Sequence, residues 1–222
     1  MDEKNTTSMT PHSEPESYEA FLRRIRVQEL RDKILRYYRD SITMDYWNSK
    51  FDDYHVSRRN DKAVVKANRF LQAFSLRHVP EKTSRLLWIQ GKPGTGKTLL
   101  AHVVANHLID DTLNPVAYLR STQVLQHYER SMKCRILLLD DLLKESPDTY
   151  AVGGYGEKLF TIIDHFSGDS NKGMIITSNH TPTELYKRYP NADSNGAIRW
   201  RLKKMAAGDT GCVIYATDKE AK

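Results

Sequence analysis

The chain has 222 residues, of which 39% are hydrophobic and 28% are charged, with a net charge of +6, so we expect one domain with at most a small appendage. No apolar run approaches the roughly 20 residues that a membrane span needs and no secretory signal opens the chain, which predicts a cytoplasmic protein without membrane contact. Two cysteines, Cys134 and Cys212, lie 78 positions apart in apolar surroundings, which favours reduced thiols over a disulfide framework or a zinc site.

The first segment of the chain predicts a tail followed by a basic helix. Residues 1–13 are polar and lack periodicity, which is typical of a disordered tail. From residue 14 to Tyr38, apolar side chains recur at spacings of three and four, as in one long helix or two in register. Seven basic and two acidic residues between positions 21 and 39 make its polar face positive. We interpret residues 14–57 as an N-terminal helical region that either binds a partner or packs on its own domain.

Residues 58–222 predict an α/β domain. They carry 25 Lys and Arg against 17 Asp and Glu, a basic excess that is compatible with a nucleic-acid partner. The strands are too apolar to face water, which favours a parallel five-stranded sheet between helices. Only six residues follow the last strand, so we expect no C-terminal helical lid. The strands are predicted at 85–90, 115–119, 135–139, 173–178 and 211–216, and the helices at 61–76, 97–109, 122–132, 155–166, 182–188 and 196–206.

The most informative motif of the chain is GKPGTGKT at residues 91–98, between an apolar strand and a helix with apolar periodicity. Glycines let successive backbone N–H groups turn toward a polyphosphate, and the helix N-terminus adds partial positive charge. The motif therefore predicts a nucleoside triphosphate site in which Lys97 reaches the β- and γ-phosphates and the Thr98 hydroxyl binds Mg²⁺. The nucleotide-binding residues are Gly91, Lys92, Pro93, Gly94, Thr95, Gly96, Lys97 and Thr98.

Polar residues end two further predicted strands. Asp140 and Asp141 follow an apolar strand, at the edge where parallel sheets bind ligands. We predict that Asp140 holds Mg²⁺ and that Asp141 orients the attacking water. Asn179 follows the strand that ends at residue 178, and it either bonds the γ-phosphate or the water or belongs to an ordinary turn.

A basic helix near the end of the chain carries Arg199 and Arg201. An arginine that reaches the γ-phosphate of a neighbouring subunit stabilises charge in the transition state of comparable NTPases. Residues two apart point to different faces of a helix, so at most one of these arginines is expected to serve. The alternative is a solvated or DNA-facing basic helix.

Taken together, the motifs resemble the AAA+ ATPases, in particular the helicase-loader branch typified by DnaC, DnaI and IstB. The resemblance covers residues 60–216, with GKPGTGKT similar to Walker A, LLLDDL to Walker B and ITSN to sensor 1. It implies a P-loop AAA+ core, ATP and Mg²⁺ as cofactors, ATP hydrolysis, and a homo-oligomer. In IRWRL, Arg199 is the better match for the arginine finger.

The resemblance also implies a function. A loader would place a ring-shaped replicative DNA helicase onto single-stranded DNA, and residues 14–45 would bind the helicase; a phage or mobile element is a fitting source. Such loaders generally have a longer DNA-contacting insertion where this chain has 16 residues between Leu119 and Ile136. One alternative is a transposition helper or a superfamily 3 viral replication helicase. The sequence TSNHTPTELY resembles the corresponding motif of the superfamily 3 helicases. Another alternative is an ATP-binding adaptor or inhibitor with little turnover.

Overall fold

The computed structural model describes residues 17–144, 154–189, 196–209 and 211–215. The predicted disordered tail, residues 1–13, lies outside these ranges. Residues 216–222, where the sequence predicts no helical lid, also lie outside them. The helices are α1 (Tyr18–Arg39), α2 (Asp61–Ser75), α3 (Lys97–Thr112), α4 (Val124–Ser131), α5 (Tyr155–Gly168), α6 (Pro182–Arg188) and α7 (Ala197–Ala206). The strands are β1 (Leu86–Gly91), β2 (Val116–Arg120), β3 (Ile136–Leu142), β4 (Gly173–Ser178) and β5 (Cys212–Ile214), and 3₁₀ turns span Met44–Tyr46, Phe51–Asp53 and Ser121–Gln123.

The five strands form one sheet in the order β2-β3-β4-β1-β5. Every neighbouring pair is parallel, with Leu138 of β3 opposite Ile175 of β4 and Trp88 of β1 opposite Ile176. The predicted parallel five-stranded sheet is therefore confirmed. All carboxyl ends of the strands point to the same edge, which brings the ends of β1, β3 and β4 together.

Helices cover both faces of the sheet, as the apolar strands required. On one face, Leu87 and Ile89 of β1 pack with α2, α3 and the end of α1. On the other face, Leu86 and Trp88 pack with α4, α5 and α7. Cys134 is a buried free thiol. Within the described ranges, no helix is long and apolar enough to cross a membrane.

Helix α1 is a single helix with two differently packed parts. Near its end, Ile34, Leu35 and Tyr38 are buried in the core, and the Arg31 guanidinium lies 2.7 Å from an Asp110 carboxylate oxygen on α3. We call residues 18–30 the exposed half of α1, because its apolar side chains face solvent. The predicted packing on the chain's own domain thus describes the end of α1, and partner binding stays a prediction for the exposed half. The exposed apolar residues are Tyr18, Phe21, Ile25, Val27 and Leu30.

Candidate nucleotide site

The loop at residues 91–96 joins β1 to α3 in a shape that requires glycine. Gly94 and Gly96 have φ angles of 78° and 87°, a region that side chains other than hydrogen disfavour. At Gly91, an added Cβ would lie 2.5 Å from the Ile214 carbonyl oxygen of β5. The loop therefore passes directly against β5, and α3 starts at its end with its first backbone N–H groups facing the loop.

Lys97 points its ammonium into this loop. The residue is 5% exposed, and its Nζ donates a hydrogen bond of 2.9 Å to the Lys92 carbonyl. Burial lowers the pKa of Lys97, while Asp141 and Asp140 act in the opposite direction. The Thr95 hydroxyl donates to the same Lys92 carbonyl at 2.9 Å. A buried cation within a glycine-rich loop is an arrangement that can bind phosphate.

Asp140 ends the buried part of β3 and is 1% exposed. Its Oδ1 accepts hydrogen bonds from the hydroxyls of Thr98 at 3.0 Å and Thr177 at 2.5 Å. The Asp140 carboxylate and the Thr98 hydroxyl form an oxygen donor pair that fits Mg²⁺. No three His, Cys, Asp or Glu residues of the described segments form a metal cluster. Mg²⁺ is usually held by one or two carboxylates, with phosphate and water completing the shell, so Thr98 and Asp140 stay the predicted metal ligands.

Asp141 lies at an irregularity of β3, between Leu139 and Leu142, where the register with β4 shifts. Its φ angle is 57°, and its backbone N–H donates to the Thr177 hydroxyl at 2.9 Å. The carboxylate turns away from the strand and accepts a hydrogen bond of 2.8 Å from Lys144. This contact raises the pKa of Lys144. Bulges commonly re-aim a side chain beside an active site, and this irregularity includes Asp141, the residue directly after Asp140.

Asn179 is exposed and follows β4 at the same edge of the sheet. The preceding Ser178 pairs with Gln90, one residue before the loop. Two contacts hold the turn: the Ser178 hydroxyl donates to the Leu142 carbonyl at 2.6 Å, and Trp88 Nε1 donates to the His180 carbonyl at 3.3 Å. Asn179 therefore lies at the same edge of the sheet as the loop, and its role there stays a prediction.

The two arginines of α7 have different surroundings. Arg201 Nε lies 2.5 Å from Asp164 Oδ1 on α5, and its guanidinium lies over the Phe160 ring. Arg199 is exposed, with its guanidinium 4.9 Å from the centre of the Tyr186 ring on α6. Contact with the phosphate of another subunit stays a prediction for either residue.

A cavity of about 510 Å³ adjoins the loop, a size within the range of small-molecule sites. One wall comes from Tyr54, His55, Arg59 and Asn60, residues for which no motif predicted a role in the site. The Asn60 side chain fixes this wall, because it accepts from Ser57 N–H at 2.8 Å and donates to the His55 carbonyl at 2.9 Å.

Tyr118 and Arg120 of β2 also belong to the site, and no motif pointed to them. The Tyr118 hydroxyl donates to Asp140 Oδ2 at 3.2 Å, and Arg120 Nε donates to the Tyr118 oxygen at 3.0 Å. Burial and the nearby Asp140 raise the pKa of Tyr118. The signal that could have found them is register: β2 pairs with β3, so Arg120 lies opposite Asp140.

Known proteins resemble this chain in sequence. A family model described as "Novel STAND NTPase 3" matches residues 77–195. The replicative helicase loader DnaC of Buchnera aphidicola is 34% identical over 93 residues, which is 42% of this chain and 35% of that protein. Cell division control protein 18 of Schizosaccharomyces pombe is 36% identical over 56 residues, 25% of this chain and 9% of that protein. The chain thus spans about a third of one curated relative and less of the other.

Solved structures resemble the fold. The crystal structure of the DnaC helicase loader has a TM-score of 0.55 and 18% identity, covering 79% of this chain and all (100%) of that chain. Domain III of the replication initiation protein DnaA from Thermotoga maritima has a TM-score of 0.54 and 21% identity, covering 81% and 71%. At these identities the likeness concerns the fold, which is that of an AAA+ core.

Proposed function

Since the chain belongs to the family described as Novel STAND NTPase 3, we propose that it binds ATP with Mg²⁺ at the carboxyl end of the sheet and hydrolyses the bond between the β- and γ-phosphates. The family match and the similarity to a DnaC helicase loader confirm the predicted AAA+ resemblance. One observation carries the proposal: the Thr98 hydroxyl, at the start of α3, lies 3.0 Å from the buried Asp140 carboxylate. A phosphate-binding loop and a magnesium ligand meet there.

Each side chain of the site has its own task in the proposed reaction. Lys97 neutralises charge on the β- and γ-phosphates, and Thr98 and Asp140 hold Mg²⁺. When bound, Mg²⁺ stabilises negative charge on the phosphate oxygens. Asp141 orients and polarises the attacking water once its carboxylate exchanges the Lys144 ammonium for that water. Asn179 hydrogen-bonds the γ-phosphate or the water.

Arg199 is the arginine that we assign to the γ-phosphate of a neighbouring subunit. Arg201 is the weaker candidate because it pairs with Asp164 of its own chain, and Arg199 is the better match in IRWRL for the arginine finger of the AAA+ ATPases. A positive charge delivered from a second subunit stabilises the transition state. Hydrolysis would then require a homo-oligomer.

The partner that we propose is a replicative DNA helicase, which the chain loads onto single-stranded DNA. The similarity to the replicative helicase loader DnaC supports this. The helicase contact is assigned to residues 14–45, where the exposed half of α1 offers apolar and basic side chains. The basic excess of residues 58–222 (25 Lys and Arg against 17 Asp and Glu) supports contact with single-stranded DNA.

Calorimetry tests the nucleotide site. ATP is titrated into the purified chain with Mg²⁺ and, separately, with EDTA, and turnover is followed by phosphate release. We expect Mg²⁺-dependent binding, which Asp140→Asn abolishes and the exposed control Asp61→Asn leaves intact. Wild-type chain that takes up no ATP in a Mg²⁺-dependent way would contradict the proposal.

Mixing two inactive variants tests the arginine. Lys97→Ala removes the phosphate contact and Arg199→Ala removes the finger, so we expect neither alone to turn over. In a mixture, the Lys97→Ala subunit supplies Arg199 to the intact loop of its neighbour, and turnover returns. Arg201→Ala is the control that retains activity. A mixture that stays inactive argues against action between subunits.

A second function, an ATP-binding adaptor with little turnover, is favoured by the 2.8 Å contact between Lys144 and Asp141, which occupies the carboxylate that hydrolysis needs. Turnover measured with and without single-stranded DNA and helicase separates the two. An adaptor turns over ATP under neither condition, and Lys97→Ala keeps its biological activity. A strand-displacement assay distinguishes the loader and the adaptor from a helicase, because only a helicase unwinds duplex DNA by itself.

A further inference from the structure

Four buried or half-buried rings connect α1 to the carboxylate of Asp140, and we call them the aromatic relay: Tyr38, Tyr46, His102 and Tyr118. His102 stacks on Tyr46, with ring centres 4.4 Å apart, and on Tyr118 at 5.2 Å. A hydrogen bond of 2.5 Å joins His102 Nδ1 to the Tyr38 hydroxyl. The relay thus crosses from α1 through α3 to β2.

The last member of the relay has its proton directed at Asp140. Arg120 Nε donates to the Tyr118 oxygen at 3.0 Å, so the single proton of that hydroxyl is available for Asp140 Oδ2 at 3.2 Å. Thr177 donates to the other oxygen, Oδ1, at 2.5 Å. With both oxygens held, the plane of the carboxylate is fixed relative to Thr98.

The relay also fixes the helix that carries Thr98. His102 lies four residues after Thr98, one turn further along the same face of α3. Tyr118 therefore contacts the Asp140 carboxylate through its hydroxyl. Its ring stacks on His102 of α3, the helix that also carries the Thr98 hydroxyl. It sets the distance between the two sides of the predicted magnesium site.

Polar atoms in the relay are costly to bury, which argues that they serve more than packing. Tyr38 is 0% and His102 is 1% exposed. Two phenylalanines would fill comparable space without burying a hydroxyl and an imidazole. Tyr37, the neighbour of Tyr38 on α1, places its hydroxyl on the Arg130 carbonyl instead. The two tyrosines form a matched pair, one inside and one outside the relay.

We propose that Tyr118 is a positioning residue for Asp140 that sets the affinity of the site for a divalent cation, and that His102 and Tyr38 make this affinity depend on how α1 packs. The inference rests on the proposed function, because Asp140 holds the cation only in a site that binds ATP with Mg²⁺. Residues that orient a metal ligand typically change metal affinity by about 10–100-fold when they are removed.

The test measures ATP binding by calorimetry at increasing Mg²⁺ concentrations, on the full chain and its variants. Tyr118→Phe removes one hydroxyl and keeps the ring, and we expect the Mg²⁺ concentration for half-maximal binding to rise about tenfold. Tyr38→Phe acts through His102 and raises it about threefold. Tyr37→Phe leaves it within about twofold. In EDTA, ATP affinity is the same for all three, because the loop and Lys97 are unchanged.

The outcomes separate the inference from the proposed function. Wild-type chain without Mg²⁺-dependent binding overturns the function, and the inference with it. The inference alone is overturned if wild type shows Mg²⁺-dependent binding and the Tyr118→Phe variant reaches half-maximal binding at a Mg²⁺ concentration within twofold of the wild-type value. Equal loss of affinity with Mg²⁺ and with EDTA also overturns it, because Tyr118 would then only maintain the fold. If the Tyr118→Phe variant does not fold, the comparison of Tyr38→Phe with Tyr37→Phe decides. Equal Mg²⁺ concentrations for half-maximal ATP binding in these two variants overturn the dependence on α1.

Discussion

The carboxyl end of the sheet buries polar groups, whereas the exposed half of α1 exposes apolar ones. Asp140 is 1% exposed and accepts hydrogen bonds from three hydroxyls. Tyr18 at the start of α1 is 74% exposed and Phe21 is 42% exposed. Both arrangements oppose the usual distribution of residue types.

Each region is arranged for a different kind of ligand. A buried carboxylate with fixed hydrogen bonds loses little freedom when a cation arrives, so the site is organised before its ligand is present. A helix surface with exposed apolar and basic side chains gains its contacts only when a partner covers it. The first arrangement suits the proposed small charged ligand, and the second suits the proposed protein partner.

Lys97→Ala should have the largest effect. The ammonium is buried within the loop, and charge-assisted hydrogen bonds to phosphate are among the strongest in proteins. We expect ATP affinity to fall by about 100-fold or more and phosphate release to reach background. Lys62→Ala, on the exposed face of α2, is the control. A Lys97→Ala variant that binds ATP nearly as well as wild type would show that the loop is not the phosphate site.

Leu138→Ala should have the next largest effect, on stability. Leu138 lies in the middle of β3, an interior strand of the sheet, and is 0% exposed. Truncation in such a core leaves a cavity and lowers the free energy of unfolding by about 3 kcal/mol. Urea titration measures it, with Val65→Ala on the surface of α2 as the control, where about 0.5 kcal/mol or less is expected. Similar losses at both positions would mean that the sheet is not the rigid part of the molecule.

The pH dependence of stability tests the junction between the two regions. Burial and the nearby Arg120 lower the pKa of His102 to about 3, so the folded chain keeps this imidazole neutral where the unfolded chain protonates it. The unfolded state then binds the extra proton below pH ~6.5, and stability falls as the pH falls. From pH 7 to pH 5, His102 alone lowers the free energy of unfolding by about 2 kcal/mol.

Urea titrations at several pH values measure this slope. His102→Phe keeps a ring in the stack and removes the titration, so its slope should be flatter than that of wild type. His78→Gln, at an exposed position, controls for the loss of a histidine. Equal slopes for His102→Phe and wild type would show that the imidazole is accessible to protons, and that α1 does not seal this part of the site.

The sequence predicts those parts of the fold and site that depend on neighbours along the chain. The strands appear as apolar runs, and GKPGTGKT specifies a turn in which Gly94 and Gly96 have positive φ angles. Asp140 follows the same logic, since it ends an apolar strand and parallel strands end at one edge. The structure joins Thr98 and Asp140, 42 positions apart, by a hydrogen bond at this edge, where both are predicted to hold Mg²⁺.

The remaining parts of the site depend on register and packing, which residue patterns do not encode. Tyr118 reaches Asp140 only because β2 pairs with β3 in one particular register. Tyr54 lines the cavity because a 55–60 turn folds back on the loop. Lys144 meets Asp141 because a bulge turns that carboxylate away from the strand. For α1, the periodicity predicted the helix, but which part of it is covered depends on where α3 lies.

The smallest expected effect on the fold concerns the exposed half of α1. Phe21→Ser removes an apolar side chain that solvent already reaches, so we expect the free energy of unfolding to change by no more than about 0.5 kcal/mol and ATP affinity by less than about twofold. Capture of the replicative helicase should fall at least about tenfold, because apolar anchors dominate such contacts. Gln28→Ser, on the same half, is the control. If Phe21→Ser instead lowers stability by more than about 1 kcal/mol, this half of α1 packs on its own domain in solution, and the contrast with the sheet edge is lost.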